Sequence, residues 1–326
     1  MPARRPLPPS QFVRQISSLA LTDYSETPPP HRSVASSQPS SFTIRSISWS
    51  PLGAWVATGA SNGTLRCWNP EKPMVRNSTE LKGHVGSVEA VAFNPAMEAE
   101  LASVGADGKV RFWDVRSKSK IGEVSVGGEG LTLTWMSRGE GVLVGRKDDN
   151  LVSIDRATLT ASEPVKQAVQ TNEAQFIPDN TLVFLTAGDG RCSINTFPSF
   201  DCLYSFQAHY SACVCLDRSP LGRHLAIGGS DGLVSIWDTK MWACIRTCSV
   251  EGAVKTVKFS FCGGYLAAGT DDGNVVDIFH VDSGELVHEV TGVTNPCSVA
   301  WHPHKYSLAI SSESPTMLKI LGGMEK

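Results

Sequence analysis

The feature that most constrains this 326-residue chain is a tight turn that returns at a nearly constant interval. Asn62-Gly63, Asp107-Gly108, Asp149-Asn150, Asp189-Gly190, Asp231-Gly232 and Asp272-Gly273 follow one another at steps of 40 to 45 residues. Each lies between two apolar runs of strand length. The turn needs positive φ, which glycine adopts without steric cost and Asp or Asn tolerate through local hydrogen bonds. A second ruler agrees: Trp49, Phe93, Trp135, Phe176, Arg218, Phe259 and Trp301 recur at steps of 41 to 44 residues, and only Arg218 breaks the aromatic rule. Seven marks mean seven units, each too small to bury its own apolar faces without a neighbour on either side.

A period of this length, filled with short strands, predicts an all-β, seven-bladed β-propeller. The most complete unit runs from Gly83 to Asp114, opening on Gly83-His84 and closing on Trp113-Asp114. This Gly-His to Trp-Asp frame resembles the WD-repeat family. The resemblance implies a buried tetrad in which Asp107 accepts from His84, His84 bonds Ser103, and Ser103 accepts from the indole of Trp113. Loss of one member leaves polar groups unpaired, at a cost of about 1 to 3 kcal/mol. In the fifth unit His209, Asp231 and Trp237 recur, but Ile227 stands at the serine position, so the network is expected to be incomplete.

Residues 1–31 are rich in proline and serine, and the first forty residues hold eight of the nineteen prolines. Such a segment buries too little apolar surface to order itself, so a disordered tail is expected, although Phe12 to Leu21 carries enough apolar residues to dock on a partner or on the propeller side. Residues 32–322 then form the propeller and 323–326 a short C-terminal tail. The seventh unit has strand patterns at 298–301, 308–311 and 317–321, and then the chain ends. It lacks an outer strand, and an open edge invites aggregation. The ring is therefore expected to be closed by an N-terminal strand, with Arg32 to Ser37 as the available segment.

Composition removes several classes of function. The net charge of −3 gives no bulk attraction for a phosphate backbone. No apolar run approaches the roughly 18 to 20 residues of a spanning helix. Arg4 and Arg5 are followed by no apolar stretch of the kind a secretory signal requires. The nine cysteines are scattered through strand patterns, as suits reduced core residues of an intracellular protein. Cys213-Val214-Cys215 lacks a second ligand pair of zinc-site spacing.

Candidate chemistry is equally thin. His84, Ser103 and Asp107 are the residue types of a hydrolase triad, but a mid-strand serine engaged by a tryptophan is no nucleophile. The Gly127 to Gly130 loop has no Lys-Ser/Thr after it and opens no helix, so it does not read as a phosphate cradle. His302-Pro303-His304 falls where each unit turns after its first strand. No catalytic residue, cofactor, metal or small-molecule substrate is expected. What remains is surface: Arg45, Glu89, Lys147, Asp148, Ser230, Lys255 and Asp271 fall at strand entrances or beside the tight turns, where a propeller faces its partners. Their mixed signs suit a protein better than a nucleic acid.

The drifted units narrow the family. VGRKDDNLVSID at 144–155, FLTAGDGRCSINTFPSF at 184–200 and SVAWHP at 298–303 stand beside GGSDGLVSIWD in unit five and GHVGSVEAV in unit two. Together they resemble the THO complex subunit 3 family over roughly residues 42–322. The resemblance implies a non-enzymatic nuclear scaffold of the THO/TREX assembly, which couples transcription to messenger RNA processing and export. Its partners would be other THO subunits, especially the large helical-repeat subunit, and indirectly a DEAD-box RNA helicase and messenger RNA. A WD-repeat adaptor of another assembly, such as a ubiquitin ligase substrate receptor or a histone-binding chromatin factor, fits the generic repeats as well. Function is expected where the ruler slips, in units three and four and around Arg218.

Overall fold

In a computed structural model, residues 5–24, 42–73, 78–313 and 318–322 are described. Seven antiparallel sheets stand around a central channel, six of them four-stranded and each joined to the next by the chain itself. Blade two shows the common plan: Val88–Phe93 lines the channel, and Glu100–Gly105, Lys109–Asp114 and Ser119–Ser125 follow outward. Blade three carries a fifth short strand, because Thr160–Ala161 and Val165–Lys166 both pair with Asn150–Asp155.

Burial explains the sequence pattern strand by strand. The second strands, such as Glu100–Gly105 and Gly141–Arg146, are buried at every residue except for the two ends of Leu182–Ala187 in blade four. Neighbouring blades cover both their faces, so they read as continuous apolar runs rather than as alternation. The first strands alternate, with one face in the blade stack and the other toward the channel. Tryptophans on those strands also tie neighbouring blades together. The indoles of Trp49, Trp135 and Trp301 donate to the carbonyls of Ala300, Ala92 and Lys258 on the preceding blade, at 2.8 to 3.0 Å.

Closure is made by a strand from upstream, at a different place from the one expected. Leu21–Tyr24 pairs antiparallel with Leu318–Leu321 and completes blade seven as its outer strand. Arg32 to Ser37 lies outside the described residues, as do 323–326. The physical reason is side-chain chemistry. Tyr24 is fully buried, sets its ring edge-on to Trp68 at 6.0 Å and donates to the carbonyl of Pro70. Asp23 meets Lys319 at 2.7 Å.

The expectation of disorder through residues 1–31 is corrected for residues 5–24. Pro9–Ser17 is a helix whose Phe12 and Ile16, one turn apart on one face, are fully buried against blades six and seven. Phe12 stacks on Tyr265 with ring centroids 3.5 Å apart, and Tyr306 meets it edge-on at 5.0 Å. Upstream of the helix, the Tyr265 hydroxyl donates to the Leu7 carbonyl at 2.6 Å, and the Leu7 amide donates to the Tyr306 hydroxyl at 3.2 Å. Proline-rich composition hid two well-placed anchors.

Candidate functional site

The channel encloses about 1180 Å³ and is walled by the seven first strands. Six of these strands carry a bulge at their entrance, for example between Ile44 and Ser46, Val88 and Ala90, and Val254 and Thr256. A bulge re-aims the extra residue. That residue is Arg45, Glu89 and Lys255 in these three blades, and all three line the channel mouth with Ser230 and Asp271. Lys255 is ion-paired to Asp271 at 3.0 Å. The fold thus gathers five of the seven surface candidates. Lys147 and Asp148 belong to the blade-three turn outside that lining, where Lys147 meets Glu129 at 3.0 Å and Asp148 is bound by Arg146.

A charged cluster deeper in the channel is absent from the expectations. Lys258 on blade six lies 3.1 Å from Glu173 on blade four and 3.9 Å from Asp217 on blade five. Glu173 also accepts the Leu216 amide and Asp217 the Phe259 amide, each at 2.7 Å, so each carboxylate clasps the next blade. Burial pushes the Asp217 carboxyl up to about 6 against the pull of Lys258. The sequence signal is alternation: Asp217 and Lys258 immediately precede the seven-fold ruler residue, a position that faces the channel. Arg218 itself is half-buried, and its guanidinium lies over the backbone of Gly222, where any β-carbon would collide with it.

The tetrad geometry in blade two is fully formed. His84 Nδ1 lies 3.1 Å from Asp107, its Nε2 lies 2.8 Å from Ser103 Oγ, and the Trp113 indole donates to that hydroxyl at 2.9 Å. Ser103 is 0% exposed, so its oxygen is out of reach of any substrate. Arg111 adds a fifth member that the repeat pattern does not announce, donating to Asp107 at 2.7 Å and to Glu123 at 3.0 Å. Burial raises and these partners lower the Asp107 carboxyl, and the partners prevail. In blade five the expected gap is filled. Ser235 supplies the hydroxyl: it bonds His209 Nε2 at 2.9 Å, beside the Ile227 carbonyl at 3.2 Å, and receives the Trp237 indole at 2.8 Å. Ile227 and Ser235 are register partners, so the hydroxyl has moved one strand outward on the same face. Blade one makes the indole bond to Thr58 from Trp68 at 3.0 Å.

All nine cysteines are unpaired, and burial drives the Cys213 and Cys215 thiols well above their ordinary range. Among the described residues, no three His, Cys, Asp or Glu side chains are placed to hold a metal, and no helix is long and apolar enough to cross a membrane.

Comparison with known proteins bears on what this ring is for. The family model described as WD domain, G-beta repeat, matches residues 32–69, 76–114 and 200–238, and that of the Anaphase-promoting complex subunit 4 WD40 domain matches 239–304. Both leave the drifted units at 115–199 unmatched. THO complex subunit 3 of Arabidopsis thaliana is 33% identical over 268 residues, covering 81% of this chain and 84% of the relative. The chain belongs to the THO complex subunit 3 family. WD repeat-containing protein AAC3 of Dictyostelium discoideum is 27% identical, covering 82% of this chain but 61% of that relative's length. The crystal structure of the Myceliophteria thermophila Cps50 (Swd1) β-propeller domain superposes with a TM-score of 0.75 over 86% of this chain and 97% of that one. At 17% identity that likeness shows the fold alone.

In this member of the THO complex subunit 3 family, the seam between blades seven and one carries a titratable group. His302 packs edge-on to Trp49 at 4.8 Å, occupies the space over Gly53, and accepts the His304 amide on Nδ1 at 3.0 Å. Burial, then Lys305 and His304, lower its pKa from 6.5 to about 4. The folded state therefore resists a proton that the unfolded chain takes up, so stability falls as pH drops from 6.5 to 4 and levels off below. The loss amounts to about 3 kcal/mol. Urea unfolding at pH 7 and pH 4 checks this: a His302→Asn variant loses less stability between the two pH values than the parent, by about that amount. Equal losses exclude His302 as the cause.

Proposed function

We propose that this chain is a non-enzymatic scaffold subunit of a THO-type nuclear assembly, acting in messenger RNA processing and export through protein contacts at its channel mouth. The observation that carries the reading is the 33% identity to THO complex subunit 3 across 81% of the chain, further than the generic repeat models reach together. The mixed charges of Arg45, Glu89, Lys255 and Asp271, gathered at the channel mouth, support a protein partner over a phosphate backbone. The large helical-repeat THO subunit is the proposed direct partner, and the DEAD-box helicase and messenger RNA are reached through it.

Affinity purification of the tagged full-length chain from nuclear extract is expected to recover other THO subunits, with chemical cross-links concentrated at Lys147 and Lys255. Recovery of cullin-linked or chromatin proteins without THO subunits would overturn the reading in favour of an adaptor of another assembly.

A further inference from the structure

One register position holds opposite charges in three blades, serine in blades three to five, and two like charges in blade six. Across the third and outer strands, Arg66 faces Glu80 at 3.0 Å in blade one, Arg111 faces Glu123 at 3.0 Å in blade two, and Lys319 faces Asp23 at 2.7 Å in blade seven. The same register position in blade six holds Asp277 opposite Glu289. Like charges placed directly opposite destabilise a strand pair. Asp277 is only 8% exposed, and among the described residues it has no hydrogen bond or ion pair. Its carboxylate is not among the fully enclosed groups, so it is open to a group arriving from outside.

A second unpartnered group lies on the same sheet face. Asp277 pairs with Ala268, and Thr270 is two residues further along that strand. Thr270 is 4% exposed, and its hydroxyl has no partner. Gly252 brings the preceding loop against Thr270 and Asp272, so Glu251 and Asp272 rim the notch from two sides, both exposed. Burial, then Glu289 and Glu251, push the Asp277 carboxyl up to about 6, with no cation opposing them.

We propose that this notch on blade six receives a lysine or arginine side chain from a protein partner. The long cationic arm supplies from outside what Arg66, Arg111 and Lys319 supply from within. A phosphate backbone is repelled by Glu251, Asp272, Asp277 and Glu289. A bare metal ion needs several carboxylates converging on one point, an arrangement lacking among the described residues. The inference requires a protein partner but not that the partner be a THO subunit.

The test uses the purified full-length chain with labelled Thr and Val methyl groups and two probes, acetyl-Gly-Arg-Gly-amide and its citrulline counterpart, which keeps the shape and loses the charge. The arginine probe is expected to shift the Thr270 and Val275 methyl resonances, and the citrulline probe to leave them in place. Asp277→Asn weakens the arginine probe about tenfold. Asp277→Lys, which installs the pair found in blade seven, abolishes binding and raises the melting temperature. Equal shifts with citrulline, undiminished binding to Asp277→Asn, or no shift at the highest soluble probe concentration would each overturn the proposal. So would shifts of the same methyls by calcium or magnesium alone, which assign the notch to an ion.

Discussion

Removal of residues 1–24 lowers the melting temperature by roughly 10 °C or more and turns a monodisperse chain into one that aggregates. Two losses combine. Leu318–Leu321 becomes an open edge, since among the described residues Leu21–Tyr24 is what pairs with it on that side. The aromatic faces of Tyr265, Tyr306 and Trp68 lose Phe12 and Tyr24. A point substitution separates packing from length: Phe12→Ala costs about 3 to 5 kcal/mol, the range for emptying a buried phenylalanine site. Gln11→Ala, at an exposed position of the same helix, is neutral. Differential scanning calorimetry reads all three variants. An unchanged melting temperature for the truncated chain contradicts the closure described above.

The second large effect is expected at Asp107. Asp107→Ala strips Arg111 of its 2.7 Å partner, His84 Nδ1 of its carboxylate, and the Val85 amide of its 3.2 Å acceptor. Arg111 is 4% exposed along its side chain, so its charge stays buried with Glu123 as its remaining carboxylate, beside His84 Nδ1 at 2.6 Å. The expected loss is about 3 to 5 kcal/mol, the cost of breaking a buried ion pair from one side. Asp231→Ala in blade five is the control. There the His209 contact and the turn are the same, but Ser235 stands at the register position of Arg111, so the loss is expected to be smaller, at about 1 to 2 kcal/mol. Adding Arg111→Met to Asp107→Ala recovers part of the loss, because the orphaned charge goes with it. Equal costs at Asp107 and Asp231 contradict the role given to Arg111.

These contrasts mark what is legible in the chain and what is not. The seven blades are written in turn residues and aromatic spacing because both depend on local geometry: a tight turn needs Gly, Asp or Asn, and each first strand needs a large side chain between blades. Ser235 escapes a linear reading because its role depends on register. It substitutes for position 227 only because strands 224–229 and 233–238 pair in a way that sets the two side by side. Leu21–Tyr24 escapes because four residues beside a proline-rich stretch carry almost no strand signal, and their strength lies in Tyr24 reaching Trp68 across the closed ring. The clasp of Glu173, Asp217 and Lys258 joins residues 85 positions apart, which no local pattern reports. Five of the seven surface candidates are legible by position: Arg45, Glu89 and Lys255 sit in bulges at first-strand entrances, and Ser230 and Asp271 directly follow second strands.

The central claim is that the mouth of this ring holds a protein assembly together. The most direct measurement is quantitative mass spectrometry of THO subunits recovered with the parent chain and with an Arg45→Glu/Glu89→Lys/Lys255→Glu variant, after circular dichroism has established that both are folded alike. The parent is expected to recover THO subunits and the variant to lose most of them. Undiminished recovery by the folded variant contradicts that claim.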